Sequence, residues 1–195
     1  CMIGICRTED FVHFQPLPYT SVPSNRNAVL FPETIGGRYA RLERPCETDG
    51  SGRIWISYSP DLRYWGDAMP LELPVTVWNH SKIGAGTPPI RTPHGWLEIY
   101  HGTAMSCSVL NYYLSACLLD LEDPGKVLAA SSKFLLQPEE LYECVGQVPN
   151  VVFAGGAVET DDGRLLVYYG GADTCTCLAE TRVDELVQWV HDTAV

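Results

Sequence analysis

Four side chains in this sequence have the chemistry to hold an anion: Arg26, Arg44, Lys82 and His101. Arginine offers a planar fork that suits phosphate or carboxylate, lysine adds a point charge, and histidine adds a further donor. The chain carries 13 Lys+Arg against 24 Asp+Glu, a formal net charge of −11, so cations gathered at one place would mark a specific anion site. Each residue also has a plainer reading. Arg26 or Arg44 alone fits a surface ion pair, Lys82 a solvated strand end, and His101, in Tyr-His-Gly, a satisfied core histidine. Only convergence of all four carries the anion reading. Asp173, in Gly-Gly-Ala-Asp-Thr, either caps a turn or hydrogen-bonds sugar hydroxyls.

Other motifs fall away. The run Lys82-Ile83-Gly84-Ala85-Gly86-Thr87 is glycine-rich but matches neither the dinucleotide nor the P-loop pattern. No Gly-x-Ser-x-Gly is present, and the five histidines lack metal-ligand spacing, so no metal and no organic cofactor is expected. The eight cysteines, at 1, 6, 46, 107, 117, 144, 175 and 177, contain no C-x-x-C pair. Cys175 and Cys177 would share one face of a strand. Reduced, half-buried thiols in a cytoplasmic chain are the expectation, with a disulfide framework as the lesser reading. The acidic balance argues against nucleic acid and anionic membrane as partners. No apolar run reaches the roughly 20 residues of a membrane span, and no basic start followed by an apolar stretch is visible.

The elements that must position these residues read as β throughout. Runs such as Arg53–Tyr58, Gly95–Tyr100 and Arg164–Tyr169 alternate with Gly/Pro/Asp/Asn clusters. Only Asp184–His191 reads as a helix. The runs repeat. A strand, an acidic turn and an apolar stop recur around Asp10, Asp61, Asp123 and Asp184, at intervals of 51 to 62 residues. A turn glycine leading into a strand recurs at Gly37, Gly95 and Gly163, at intervals of 58 and 68. A β-only repeat of this length is the signature of a propeller blade, and 195 residues hold about three of them.

First strands are placed at Asn25–Leu30, Ser81–Gly86 and Pro149–Phe153, with Val29, Ile83 and Val152 innermost. Second strands are placed to end at Arg44, His101 and near Asp173. A hairpin joining each pair would bring the start of one and the end of the other to the same mouth, and with them Arg26, Arg44, Lys82 and His101. The chain opens at Cys1 in an apolar, strand-like run, Cys1–Cys6, where a polar tail is usual. Residues 1–195 are therefore expected to form the C-terminal part of a single propeller domain, without its N-terminal blades.

At these residues the chain resembles glycoside hydrolase family 130, the β-mannoside phosphorylases, and within it the mannooligosaccharide branch. The segments that carry the likeness are NRNAVLFPETIGGRYARLERP (25–45), ISYSPDLRYWG (56–66), KIGAGTPPIRTPHGWLEIYHG (82–102), LLDLEDPGKVL (118–128), VPNVVFAGGAV (148–158) and LLVYYGGADT (165–174). The resemblance implies a five-bladed β-propeller, here an incomplete set of about three blades. It implies a phosphate site of Arg26, Asn27, Arg44, Lys82, His101 and Tyr112, with Tyr113 the neighbour most easily confused with the last. Asp173 would bind the mannosyl unit.

The implied reaction is inverting phosphorolysis: phosphate, the co-substrate, attacks the anomeric carbon of a β-1,4-mannoside and releases α-mannose 1-phosphate. A hydrolase would need a second carboxylate to activate water; here a cationic cradle takes that place. The family's general acid is an Asp in an Asp-Pro-Arg context. This sequence has no such tripeptide, and Asp123-Pro124-Gly125 is not a match, so the acid is unassigned and expected upstream of Cys1. The competing readings are a β-mannosidase of the same family and a non-catalytic, carbohydrate-binding propeller. Open blade edges predict self-association into a homo-oligomer.

Overall fold

The computed structural model describes residues 1–18, 21–47 and 50–195. The described residues are mostly β, with two helices among them. β1 (Cys6–Arg7) and β2 (Gln15–Pro16) form a small antiparallel pair. The first full sheet runs β3 (Asn25–Leu30), β4 (Tyr39–Pro45), β5 (Trp55–Ser59) and β6 (Gly66–Pro70), antiparallel and in chain order. The second is built from β7 (Lys82–Ala85), β8 (Ile90–Thr92), β9 (Gly95–Ser106), β10 (Val109–Leu119) and β11 (Val127–Ala130). Its order is β11-β10-β9-β7, with β8 also pairing with β9. After α1 (Leu141–Cys144), β12 (Val152–Glu159), β13 (Arg164–Gly171) and β14 (Cys175–Arg182) make the third, and α2 (Val183–Thr193) follows.

Side-chain alternation along β9 explains how the sheets pack. Trp96 and Tyr100 enter one core with Phe31, Leu42, Ile54, Ile56 and Ile83 of the first sheet and of β7. Leu97 and Ile99, on the opposite face, enter a second core with Val152, Ala154, Leu165 and Val167 of the third sheet. The middle sheet is thus covered on both faces, and near-continuous burial along β9 follows. Helix α2 adds Leu186, Val187 and Val190 to the second core, and Asp184 and Glu185 in its first turn suit the positive end of the helix dipole. Among the described residues no helix is long and apolar enough to cross a membrane.

Val29, Ile83 and Val152 lie on β3, β7 and β12, the first strands of three separate sheets. The first sheet's β4–β5 connection meets β7: the Ile83 amide donates to the Gly52 carbonyl at 2.9 Å, and Gly52 bridges Lys82 in parallel register.

Several sequence expectations need correcting. The opening run is not a strand as far as Ile5. Its backbone bonds to scattered partners, with Cys1 O accepting from Ser24 N and Ile5 O from Leu17 N, rather than to one ladder. In the second sheet β8 intervenes between the first strand and its partner, so no simple hairpin joins them. β9 runs on past His101 to Ser106, because β9 and β10 continue together as a two-stranded ribbon beyond the last β7 pair, Lys82–Thr103. His101 is therefore mid-strand, opposite Gly84, and not at a strand end. Helix α1, four residues long, is too short to show a helical period in the sequence. It is fixed by Glu143, whose Oε2 accepts from the Glu139 and Glu140 amides and whose Oε1 accepts from the Tyr169 hydroxyl.

Candidate functional site

Arg26 and Arg44 are direct cross-strand partners on β3 and β4. Just beyond Arg26 the ladder shifts register, with Asn27 in the left-handed region at φ 56°, a conformation that asparagine tolerates better than most residues. The irregularity leaves Arg26 exposed and Asn27 half-buried beside it.

Arg44 points from β4 toward the second sheet. It is 5% exposed, and its Nη1 donates to Nε2 of His101 at 2.9 Å. A guanidinium can only donate, so His101 accepts at Nε2 and carries its proton on Nδ1. Arg44 Nε and His101 Nδ1 make no well-formed hydrogen bond among the described residues. Glycine at position 84 makes the contact possible: a Cβ there would lie 2.5 Å from His101 Cε1, 2.7 Å from its Nε2 and 3.0 Å from Arg44 Nη1. The glycine-rich run that matched no nucleotide motif thus supplies the gap in which an arginine from one sheet meets a histidine from the next.

Electrostatics correct one expectation. His101 is fully buried, and burial, followed by the neighbouring Arg44 charge, holds its pKa down to about 3, with the Ala85 backbone opposing and Lys82 adding a smaller push. His101 is a neutral imidazole at neutral pH; it is not a fourth cation. Burial also lowers the Arg44 pKa, as does the nearby Arg26 charge, while Cys46 and Tyr112 favour the charged form. Arg26 and Tyr112 thus act on Arg44, and Arg44 and Lys82 act on His101. Among the described residues, none of Arg26, Arg44 and Lys82 is ion-paired with a carboxylate, in a chain whose formal charge is −11.

Alternation puts the adjacent tyrosines on opposite faces of β10. Tyr112 lies opposite Thr103 on β9 and its ring stacks 6.0 Å from His101. Tyr113 faces the other way, against Trp78 and Phe134. Phe153 of β12, not singled out from the sequence, packs 4.6 Å from the His101 ring and closes the same group; its place on a first strand was the available signal.

Asp173 occupies the turn between β13 and β14, at φ 51° and exposed. Its carboxylate forms no ion pair with Arg26, Arg44 or Lys82. Its neighbour Ala172 donates to Val151 O, and the adjoining Asn150 O accepts from Tyr112 N, so a short backbone relay joins the turn to the Tyr112 end of the site. Asp123 sits in the β10–β11 connection, where its carbonyl accepts from the Lys126 amide. No cluster of three or more His, Cys, Asp or Glu suited to a metal occurs among the described residues.

Residues 3–192 match the family model described as β-1,4-mannooligosaccharide phosphorylase, glycoside hydrolase family 130. A β-1,4-mannooligosaccharide phosphorylase of Ruminococcus albus is 44% identical over 96% of this chain and 57% of its own length. A 4-O-β-D-mannosyl-D-glucose phosphorylase of Bacteroides fragilis is 31% identical over 95% of this chain and 50% of its own. The solved structure of β-1,2-mannobiose phosphorylase from Listeria innocua, in complex with β-1,2-mannobiose, superposes with a TM-score of 0.89 at 35% identity. It covers 97% of this chain and 53% of that one. The chain thus spans about half the length of the curated relatives it matches.

Proposed function

The chain belongs to glycoside hydrolase family 130, and from that premise we propose that it forms the phosphate-binding side of a β-1,4-mannoside phosphorylase. The observation that carries the reading is the group of unpaired cations. Arg26 and Lys82 lie about the buried Arg44–His101 contact with no carboxylate ion-paired to Arg26, Arg44 or Lys82 among the described residues, and Arg44 Nε and His101 Nδ1 make no well-formed hydrogen bond there. A phosphate seated there would satisfy those donors and balance the charge.

In the proposed reaction a phosphate oxygen forms a bond to the anomeric carbon while the glycosidic C–O bond breaks, with inversion to α-mannose 1-phosphate. The leaving oxygen takes a proton from a general acid that no residue of this chain is assigned to supply. The cations position a nucleophile that is already charged, so no second carboxylate is needed to activate it. Neutral His101 fits this role: it accepts from Arg44 and fixes the guanidinium. Asn27 and Tyr112 add polar contacts, and Asp173 holds the mannosyl unit. The three successive sheets, each beginning on an inner strand, support a radial arrangement of blades belonging to a five-bladed propeller.

The test joins this chain to the portion of the Ruminococcus albus relative that it does not match. The chimera is expected to make mannose 1-phosphate from β-1,4-mannobiose and phosphate, and to turn over β-1,2-mannobiose more slowly. Lys82→Ala should lower phosphorolysis by about tenfold or more, the cost of one charge-assisted contact, while leaving sugar binding nearly intact. Equal losses of both would make Lys82 merely structural. Mannose release that needs no phosphate would favour a hydrolase. The 195-residue chain by itself is expected to yield no product, because an acid's help to the leaving group is typically worth about 10²–10⁴-fold.

A further inference from the structure

Cys175 and Cys177 stand two residues apart on β14, at the edge of the third sheet, with their side chains on the same face. Their sulfurs are 3.6 Å apart. Cys175 is exposed and Cys177 half-buried, so the pair opens to solvent from one side. The sulfurs rest over Gly171, where a Cβ would lie 3.2 Å from one and 3.3 Å from the other. Any other residue at 171 would crowd both thiols.

We propose that Cys175 and Cys177 form a two-thiolate chelating site for a soft, thiophilic metal ion of the zinc and cadmium class. Two metal–sulfur bonds of about 2.3 Å spanning 3.6 Å enclose about 103°, close to the tetrahedral angle such ions adopt. A disulfide fits less well, since it would need the sulfurs at about 2.05 Å. On binding, each thiol gives its proton to solvent as its sulfur bonds the metal. No third His, Cys, Asp or Glu joins them among the described residues, and Glu143 nearby is committed to Tyr169 and two backbone amides. Water therefore completes the coordination, and the site is weaker than a four-ligand structural zinc site. Each thiol must lose its proton to bind the metal, so affinity rises with pH.

The proposal is tested by titrating the reduced chain with Cd²⁺, following the sulfur-to-cadmium charge-transfer absorbance, and then mapping free thiols by alkylation and mass spectrometry. One equivalent is expected to protect Cys175 and Cys177 together while exposed Cys1, Cys6 and Cys107 remain reactive. Cys175→Ser and Cys177→Ser should each weaken binding at least about tenfold, as expected for losing one of two ligands, with unchanged far-ultraviolet circular dichroism. Uptake that persists in the double variant, protection that falls on other cysteines, or the absence of an absorbance band at saturating Cd²⁺ would overturn it. The mapping uses the unaltered chain, so its outcome does not depend on how the variants fold.

Discussion

Arg41 and Arg44 lie three residues apart on β4 and are almost equally hidden, at 2% and 5% exposure. Their surroundings are opposite. Arg41 meets Glu43 at 2.6 Å, donates from Nε to Ser57, and lies 4.0 Å over the Trp65 ring, while Asn25 donates to the same Glu43 carboxylate. Arg44, on the other face, has a neutral imidazole for its nearest partner and the Arg26 charge close by, with Lys82 acting on the same imidazole. The first arrangement is complete within the chain. The second keeps buried charge without a counter-charge, which is costly unless something else supplies it. Equal burial therefore does not mean equal surroundings: one arginine has its charge answered within the chain, and the other is the one for which an anion-binding role is proposed.

The largest expected effect concerns the complete pair. Arg41→Met leaves Glu43 buried without its cation and should cost about 3–5 kcal/mol, read as a lower urea midpoint at unchanged slope. Arg44→Met removes an uncompensated charge, so in phosphate-free buffer it should be neutral or stabilising. Similar losses in both would erase the distinction.

The second effect is an acid limb. His101 has a folded pKa of about 3, below the ordinary 6.5, so the unfolded chain takes up that proton first. Stability is then fully present above pH 6.5 and is lost as pH falls toward 3. The loss amounts to a few kcal/mol, at about 1.4 kcal/mol for each pH unit between the two values. His101→Gln should flatten this part of the pH–stability curve; an unchanged curve would mean that His101 is not held neutral.

Gly84→Ala is expected to cost about 1–3 kcal/mol by overpacking and to part Arg44 from His101. Unaltered stability together with unaltered anion binding would show that the gap is not needed. The smallest effect is a contrast of hydroxyls: Tyr112→Phe should weaken phosphate binding by a few-fold, consistent with about 1 kcal/mol for a hydrogen bond, whereas Tyr113→Phe should not change it.

Much of this was legible in the sequence, for a physical reason. Strand periodicity and the long repeat place Val29, Ile83 and Val152 on the first strands of three sheets, and Arg26 and Arg44 face each other across β3 and β4. What the sequence hid depended on burial and turn geometry. The neutrality of His101 follows from its complete burial beside Arg44, which no spacing reveals. The Tyr112 and Tyr113 faces depend on the β9–β10 register, set by a turn at Cys107-Ser108 with Cys107 at φ 54° and without the Asn-Gly or Asp-Gly signal that usually marks one. Helix α1 is held by one glutamate rather than by an amphipathic stripe, so it left no periodic trace.

If the Arg44 side of β4 is built for an anion and the Arg41 side is not, inorganic phosphate should find the former. Calorimetric titration of phosphate into the chain, with Arg44→Met compared in parallel, reads this without any need for turnover. A single phosphate site is expected, weakened about tenfold or more by Arg44→Met, the scale of one lost charge-assisted hydrogen bond. A folded chain that takes up no phosphate, or an Arg44→Met variant that binds it as well as the parent, would contradict an anion-binding role for Arg44.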